Sequence, residues 1–362
     1  MIEKHKLSRA SIRAIERGYD NTNADWMTEF DVSPLKGDFA FEHGVIRRDP
    51  SSVLLIDELY HCWYTRGTGE TVGFGSSDPS DKVFPWDLTE VWHATSPDGE
   101  TWTEQGVAVS PGKSGQFDDR AVFTPEIFRD DDGCFYLLYQ TVQYPYTNRQ
   151  IEQVAIAHSY SPFGPWSKSE QAILSPAQDG EWLGEDDSRF AVKSRGSFDS
   201  HKVHDPCLLK HQGLYYLYYK GEIMGESMNF GGREIKHGVA VSNHPLGPYK
   251  KSEYNPISNS GHEVVVWNYR GGIASLLTTD GPEKNTIQYA SDGINFDIKA
   301  HIKGAPEAIG LFRDTVDIEH PAPGITWGLC HKYDPSWNWN YICKFKARKQ
   351  ILDAGTYQNV GS

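Results

Sequence analysis

The chain has 362 residues, a net charge of −14 and 38% hydrophobic residues, and it contains no apolar run long enough to cross a membrane. It lacks the clustered Lys and Arg residues that nucleic-acid binding requires, so we expect neither a nucleic acid nor a membrane as partner. Its first residues lack the apolar core of a secretory signal. This predicts a cytoplasmic protein, although a chain trimmed from a periplasmic precursor would look the same.

The five cysteines have neither metal-ligand spacing nor the density of a disulfide framework. Each lies in or beside an apolar or aromatic run, so we expect small core residues. They are Cys62, Cys134, Cys207, Cys330 and Cys343. Aromatic residues make up 13% of the chain, a content that suits β-strand cores and also the flat platforms on which sugar rings stack.

The first predicted element is a short helix over residues 7–18, which ends at a glycine. Its apolar stripe is narrow, and a helix of this length is not stable alone in water. We therefore expect it to pack either on the rest of the chain or on a second subunit.

Strand pairs of similar sequence then recur along the chain. Clear copies begin at Val53, Ile127 and Cys207, and weaker copies lie at Val264 and near Ile325. The pairs are followed by a further strand and, in most copies, by a turn rich in Pro, Asp, Asn and Gly that leads into an aromatic residue.

Five such units of four strands predict an all-β protein, a five-bladed β-propeller, whose radial packing protects the sheet edges. A sandwich or a jelly roll would not predict five similar units. We assign residues 26–350 to the propeller, residues 1–25 to a short N-terminal helical arm and residues 351–362 to a C-terminal tail.

An acidic residue stands just before each of the five strand pairs. These residues are Asp49, Glu126, Asp205, Glu263 and Glu319. Because the first strand of each blade lines the central channel, we expect the five carboxylates to face one another around the axis. Grouped carboxylates raise one another's pKa unless a cation, a proton or a substrate intervenes. The pattern therefore predicts a functional site at the channel mouth, whereas a single Asp-Pro pair would mark only a strand start.

Such carboxylates suit glycoside hydrolysis, in which one group activates water and another protonates the leaving oxygen. A metal site remains an alternative, because several histidines lie near the acids or in the last strand pair, although none belongs to a strong ligand motif. These histidines are His204, His262, His320 and His331.

His262 immediately precedes Glu263, and neighbouring residues of a strand point to opposite faces. Both can face the channel only if Gly261 opens a turn and His262 precedes the strand. A single histidine is more often a structural hydrogen-bonding residue, so the residues alone favour Glu263 as the acid.

At these residues the chain resembles glycoside hydrolase family 117, the α-1,3-(3,6-anhydro-L-galactosidases), also called neoagarooligosaccharide hydrolases. The resemblance covers nearly the whole chain and is carried by the arm from Leu7 to Asp20, by Arg-Arg-Asp-Pro at Asp49, by Val-His-Asp-Pro at Asp205 and by Gly-His-Glu-Val-Val-Val-Trp from Gly261. The Asp-Pro elements are shared with family 43 arabinanases and xylosidases. The Gly-His-Glu element together with the Arg-Ala-Ile-Glu-Arg-Gly-Tyr arm is more specific.

The resemblance implies an exo-acting, inverting enzyme that releases 3,6-anhydro-L-galactose from the non-reducing end of neoagarobiose and longer neoagarooligosaccharides. It also implies a homodimer that exchanges the N-terminal arm. By position, Asp49 would be the general base, Asp205 would orient groups and tune their pKa values, and Glu263 would hold the substrate. His262 would be the general acid, with Glu263 as the alternative.

We expect further substrate contacts from five residues. These are Glu126, Arg66, Trp86, Thr124 and Trp267. The resemblance implies no required cofactor; family members can carry a divalent cation in the channel, but no motif in this chain fixes one. Two other functions stay open: a family 43-like arabinosidase or xylosidase, and a non-catalytic sugar-binding propeller with Trp63, Trp86 and Trp267 as platforms.

Overall fold

Strands make up almost all of the regular structure in the computed structural model, which describes residues 8–17, 25–76, 78–229, 231–313 and 323–349. The one described helix, α1 (Arg9–Arg17), has 9 residues, too few to cross a membrane. The strands are β1 (Thr28–Pro34), β2 (Lys36–Gly37), β3 (Val45–Arg48), β4 (Leu54–Ile56), β5 (Leu59–Thr68), β6 (Glu90–Ser96), β7 (Thr101–Val109), β8 (Ala121–Arg129), β9 (Phe135–Val142), β10 (Gln153–Ser159), β11 (Ser167–Lys168), β12 (Glu181–Trp182), β13 (Val192–Ser194), β14 (Lys202–His211), β15 (Leu214–Glu222), β16 (Ile235–Ser242), β17 (Lys250–Lys251), β18 (Val265–Tyr269), β19 (Gly272–Leu277), β20 (Thr286–Ala290), β21 (Asp297–His301), β22 (Gly310–Leu311), β23 (Trp327–Tyr333) and β24 (Asn340–Lys349).

These strands form the five blades that the repeats predicted, so the predicted propeller is confirmed. Blade 1 has β3 and β4 innermost, followed by β5, β6 and β7, and β2 pairs with the outer edge of β7. Blades 2, 3 and 4 are β8–β11, β14–β17 and β18–β21, and blade 5 is β22, β23, β24 and β1. The hairpin of β12 and β13 is an insertion between blades 2 and 3.

The fifth strand pair differs from its prediction. The inner strand of blade 5 is β22, and the apolar run near Ile325 leads into the second strand, β23. The run around β22 is only a few residues long, so it does not stand out beside the longer run that follows it. The turns that end in an aromatic residue separate the third and fourth strands of blades 1 to 4.

The two ends of the propeller chain meet in blade 5. Strand β1 pairs antiparallel with β24 over its full length, from Thr28 opposite Lys349 to Pro34 opposite Cys343. Phe30 packs edge-on against the buried ring of Phe345, with ring centroids 5.7 Å apart. The outer strand of the last blade therefore comes from the start of the chain, which closes the ring with backbone hydrogen bonds.

One apolar cluster fills each of the five junctions between neighbouring blades. Because each sheet packs on both faces, its central strands are buried throughout, as β9 is at every position. All five cysteines are buried and free, which confirms their prediction as core residues.

Helix α1 packs on blade 4 and extends the cluster between blades 3 and 4, where Ala10 is fully buried. The hydroxyl groups of Ser8 and Ser11 donate hydrogen bonds to Glu283, and Arg13 Nε lies 2.9 Å from Asp297 Oδ1. The predicted need of this helix for a packing surface is thus met. Residues 18–24, which join the helix to β1, and the predicted tail at 351–362 lie outside the described residues.

Candidate active site

In four blades a residue with a left-handed backbone lies within or next to the innermost strand. Asp49, Thr124, Asp205 and Ala308 have φ values of 49°, 46°, 50° and 48°. Pairing shifts register just after Thr124 and around Asp205, as at a β-bulge, which re-aims side chains. Together with Glu263 in blade 4, these residues surround a narrow part of the central channel.

The predicted acid does not occupy the equivalent position in blade 2, and in blade 5 the prediction for Glu319 stays a prediction. In blade 2 the position equivalent to Asp49 and Asp205 belongs to Thr124, and Glu126 lies two residues further along the strand. In blade 5 the position belongs to Ala308, and Glu319 lies outside the described residues. In blades 1 to 3 the left-handed position is the residue directly before a proline, whether or not that residue is acidic.

A cavity of about 410 Å³ opens at this end of the channel. All four predicted catalytic residues line it, together with two of the predicted substrate contacts. These residues are Asp49, Asp205, His262, Glu263, Trp86 and Thr124. The acids and the histidine thus come from blades 1, 3 and 4 to one shared wall.

Three predicted substrate contacts do not line this cavity. Arg66 pairs with Glu104 at 3.0 Å and covers the ring of Trp92. The indole of Trp267 is buried, and its Nε1 donates to the carbonyl of Pro323 at 2.9 Å. Arg66 and Trp267 do not face the cavity, and their side chains make contacts within the fold instead.

Glu126 lies below the cavity, where it closes the channel. Its carboxylate accepts hydrogen bonds from the amide and the hydroxyl of Ser52 at 2.9 and 2.6 Å, and Arg313 lies 3.1 Å away. The space between this cluster and the cavity has a volume of about 30 Å³, enough for a water molecule but not for a sugar ring. Within the described part of the chain the cavity therefore ends blindly at the axis.

Asp49 is buried and held by cations. Arg48 binds its two carboxylate oxygens at 2.8 and 3.1 Å, and His331 Nδ1 lies 3.3 Å from Oδ1. Longer contacts of 3.3 and 3.2 Å come from the hydroxyl groups of Thr65 and Thr124. Burial alone would raise the pKa of Asp49, but Arg48 and His331 outweigh it and hold that pKa well below its usual range. The carboxylate is thus kept ionised.

Glu263 and Asp205 share the charge of Lys220. Lys220 Nζ lies 2.5 Å from Asp205 Oδ2, and Thr278 donates a hydrogen bond of 3.1 Å to Glu263. Burial raises the pKa of Glu263, but the nearby charges of His262 and Lys220 outweigh it and lower that pKa overall. Glu263 is therefore held in the form that accepts hydrogen bonds rather than the form that gives a proton.

His262 and Glu263 both line the cavity because the turn that precedes them is formed by glycine. Gly261 has φ 103°, and a Cβ there would meet the ring of His237 at 2.6 Å. Strand β18 begins only at Val265, which confirms the predicted condition for both side chains to face the channel.

Asp280 holds the imidazole of His262. Its Oδ2 lies 3.2 Å from His262 Nδ1, which leaves Nε2 as the nitrogen available to a substrate. Burial raises the pKa of Asp280, but hydrogen bonds from His262 and from the amide of Arg233 lower it overall. The pair gives His262 a fixed orientation at the cavity wall.

A network of buried ion pairs forms the blade 3 side of the cavity. His204 lies between two acids, with Nδ1 3.5 Å from Glu152 and Nε2 3.2 Å from Glu222. Lys202 pairs with Glu152 at 2.5 Å and Arg233 with Glu222 at 2.6 Å. These cations outweigh the effect of burial and keep the pKa of both glutamates low.

Aromatic rings form another part of the cavity wall. Phe84 and Trp86 stack in parallel with centroids 4.5 Å apart, and the guanidinium of Arg48 lies 5.0 Å from the Trp86 ring. Trp86 therefore contacts the same cation that binds Asp49, so the wall and the carboxylate hold Arg48 between them.

The described residues do not fit a divalent ion in the channel. In this part of the chain no group of three or more His, Cys, Asp or Glu side chains is arranged to hold a metal. Asp49 and Asp205 already face Arg48 and Lys220, whose positive charges would repel a metal ion.

Sequence reasoning missed Arg48, Lys220, Asp280 and Tyr333 as parts of this wall. Arg48 could have been found, because it precedes Asp49 directly. Lys220 lies near the end of a second strand, and Asp280 lies in a loop between a second and a third strand. The sequence gives no spacing rule that brings those positions to the channel mouth.

Comparison with solved structures finds Zg3597, a family 117 glycoside hydrolase produced by the marine bacterium Zobellia galactanivorans. It is 30% identical, with a TM-score of 0.73 over 95% of this chain and 96% of its own. CoXyl43, a family 43 β-xylosidase/α-arabinofuranosidase from a compost microbial metagenome, is 16% identical with a TM-score of 0.53 over 90% and 96% of the two chains, and so shares the fold alone. A scan against family models and a search of curated proteins gave no match.

The buried pair of Arg48 and Asp49 predicts a pH-dependent stability effect. Arg48→Met should lower the free energy of unfolding near pH 7 by about 3–5 kcal/mol, because it leaves a buried carboxylate without its cation. Burial then raises the pKa of Asp49, so the loss should shrink as the pH falls through that raised value. In the wild type the folded pKa is depressed, so the contribution of Asp49 is complete above about pH 4 and declines only below it.

Urea unfolding of both proteins between pH 4 and 8 measures this difference. Arg66→Met is the matched control, because Glu104 keeps a second cation in Arg47 at 2.8 Å. A loss in Arg48→Met that is independent of pH would contradict the assignment.

Proposed function

This chain belongs to glycoside hydrolase family 117 and is a propeller glycoside hydrolase, and from this premise we propose that it is an exo-acting, inverting enzyme. The proposed reaction cleaves the α-1,3 linkage of neoagarobiose and neoagarooligosaccharides and releases 3,6-anhydro-L-galactose from the non-reducing end. The proposal for the substrate rests on the family and on the Gly-His-Glu element at Gly261. No required cofactor is proposed.

The observation that carries the proposal is the blind cavity with Asp49 and His262 in its wall. A cavity that continues toward the axis only as a space of about 30 Å³ accepts the end of a chain rather than its middle, which supports exo-action. A carboxylate and an imidazole from different blades supply the two proton-transfer groups that inversion requires.

In the proposed mechanism Asp49 takes a proton from water as that water attacks the anomeric carbon. Its pKa is held low by Arg48 and His331 despite burial, so at neutral pH it is in the ionised form that a general base requires. The long contacts from Thr65 and Thr124 are the ones that an incoming water would replace.

His262 gives the proton that the departing galactose oxygen needs, from the nitrogen not held by Asp280. The lowered pKa of Glu263 argues against Glu263 as the acid and supports a role in binding sugar hydroxyl groups. Asp205, paired with Lys220, places that cation beside Glu263 and thereby acts as a positioning residue.

The two other functions have less support. Two of the three platforms of a non-catalytic sugar-binding propeller, Trp63 and Trp267, are buried in the core. A family 43-like arabinosidase would share the fold, but the Gly-His-Glu turn and the imidazole at the cavity wall belong to the family 117 proposal.

Incubation with neoagarobiose tests the function. We expect galactose and 3,6-anhydro-L-galactose as products, and proton NMR at early times should show the released anhydrosugar with the anomeric configuration opposite to that of the bond cleaved. Turnover of aryl arabinosides or xylosides without turnover of neoagarobiose would favour the family 43-like alternative, and binding without turnover would favour the sugar-binding one.

The acid and base roles predict different responses to the leaving group. Loss of an acid matters less when the leaving group is good, whereas water attack needs a base in either case. His262→Ala and Asp49→Asn should each lower kcat/KM on neoagarobiose by about 10²–10⁴-fold. An aryl 3,6-anhydro-L-galactoside should restore much of the activity of His262→Ala and none of that of Asp49→Asn.

Glu263→Gln is the control for this experiment, and we expect the aryl substrate to leave its defect unchanged. Rescue of Glu263→Gln without rescue of His262→Ala would reverse the roles of the two neighbours.

We further propose that the protein is a homodimer that exchanges its N-terminal arm. The surface of blade 4 that receives α1 buries Ala10 completely, whereas Ile15 on the same helix is 63% exposed. Ala10→Arg should therefore yield monomers in light scattering, as should deletion of residues 1–20, and Ile15→Arg should leave the dimer intact. A dimer that survives both the substitution and the deletion would contradict arm exchange.

A further inference from the structure

A tryptophan stands exposed on the loop between β23 and β24, at the cavity end of blade 5. Trp337 is 68% exposed, whereas the other tryptophans of the described residues are buried or half-buried. Successive strands of a blade run in opposite directions. This loop therefore lies at the same end of the channel as the left-handed residues Asp49, Thr124, Asp205 and Ala308. The side chain contributes almost nothing to a core, which leaves its position to be explained.

The loop holds Trp337 in a fixed and unfavourable conformation. The carboxylate of Asp334 accepts hydrogen bonds from the amides of Ser336 and Trp339 at 3.2 and 2.9 Å, and the amide of Trp337 donates to the Asp334 carbonyl at 3.0 Å. Trp337 has φ 62°, a left-handed conformation that is uncommon for a bulky residue and costs energy. Asn or Gly would relieve this strain, so folding does not explain a tryptophan here.

A row of contacting aromatic rings connects Trp337 with Asp49, the proposed general base. Its ring lies 4.7 Å from that of Tyr333, which lines the cavity, and Tyr333 lies edge-on to His331 at 5.1 Å. His331 Nδ1 in turn lies 3.2 Å from the amide nitrogen of Asp49. Trp337 is therefore the outer end of a wall that leads from the surface to the position of bond cleavage.

The blind end of the cavity determines which part of a bound oligosaccharide can contact Trp337. A chain whose non-reducing end occupies the cavity cannot continue along the axis, because Glu126 and Arg313 close it. All sugars on the reducing-end side of the cleaved bond must leave through the mouth and pass over its rim. The apolar face of a pyranose ring packs well on an exposed indole.

We propose that Trp337 is a binding platform for a neutral sugar ring outside the cavity, on the reducing-end side of the cleaved bond. The inference rests on the proposed function for the nature of the occupant. The platform predicts that the protein prefers oligosaccharides longer than the disaccharide and that blade 5 sets this preference.

The test compares wild type, Trp337→Ala and Trp337→Asn on neoagarobiose and on the corresponding tetra- and hexasaccharides. Both variants should lose about threefold to tenfold in kcat/KM on the longer substrates, mainly through KM, and keep their rate on the disaccharide. Trp337→Asn should unfold at the same temperature as wild type or higher, since Asn tolerates the left-handed backbone. Tyr160→Ala, a 74% exposed aromatic residue in the turn between β10 and β11 at the opposite end, should change neither property.

Calorimetric binding of neutral neoagaro-, arabino- and xylo-oligosaccharides separates this inference from the proposed function. Suppose that the wild type binds longer arabino- or xylo-oligosaccharides more tightly than short ones, and that Trp337→Ala abolishes this difference. The platform would then stand, and the proposed substrate would be wrong. The inference is overturned if the variants keep the full gain with chain length, if wild type shows no such gain in any series, or if Trp337→Ala changes only the oligomeric state.

Discussion

The site depends on a backbone conformation that residues other than glycine rarely adopt. Asp49, Thr124, Asp205 and Ala308 hold it at the same level of four inner strands, at a cost of roughly 1–3 kcal/mol each. In three of these blades a proline follows, and proline is tolerated at a bulge because it removes no needed ladder hydrogen bond. The interblade clusters fix the strands on either side, so the strained residues cannot relax. Their side chains are thereby turned to the channel, and three of the five positions at this level carry a carboxylate.

Burying carboxylates at this level requires cations close by. Arg48, Lys220 and Arg233 lie within 3 Å of Asp49, Asp205 and Glu222, respectively. Removing one partner of such a pair costs more than the pair itself contributes, because the other charge stays buried. Arg48 holds the pKa of Asp49 low despite burial, and His262 is the foremost group that lowers the pKa of Glu263 and of Asp280. Burial favours the neutral form of a carboxylic acid, whereas these carboxylates are ionised. The neighbouring cations allow both burial and ionisation.

The sequence predicted the propeller because its evidence is local: a tight turn and an aromatic residue recur once in each of four blades. It also predicted the convergence of Asp49, Asp205 and Glu263, since all three stand just before the apolar run of a strand pair. It placed Glu126 wrongly because acids were counted instead of residues before proline, although Thr124-Pro125 is visible in the sequence. Asp280 and Trp337 could not be predicted, because both come from loops whose distance from the axis is set by how the blades pack. Trp267 was misassigned for the opposite reason, since an aromatic residue in a strand serves a core as readily as a platform.

The closure of the channel by Glu126 and Arg313 has a kinetic consequence. If the protein acts on chain ends as proposed, a cavity closed on the axis side by these described residues imposes an order on the departure of products, because an anhydrosugar released at its blind end would lie behind the shortened chain. The shortened chain must therefore leave first, and every new cut requires complete withdrawal and fresh entry of a chain end. Such an enzyme works distributively, and an accumulating oligosaccharide product slows it by blocking the exit of the monosaccharide.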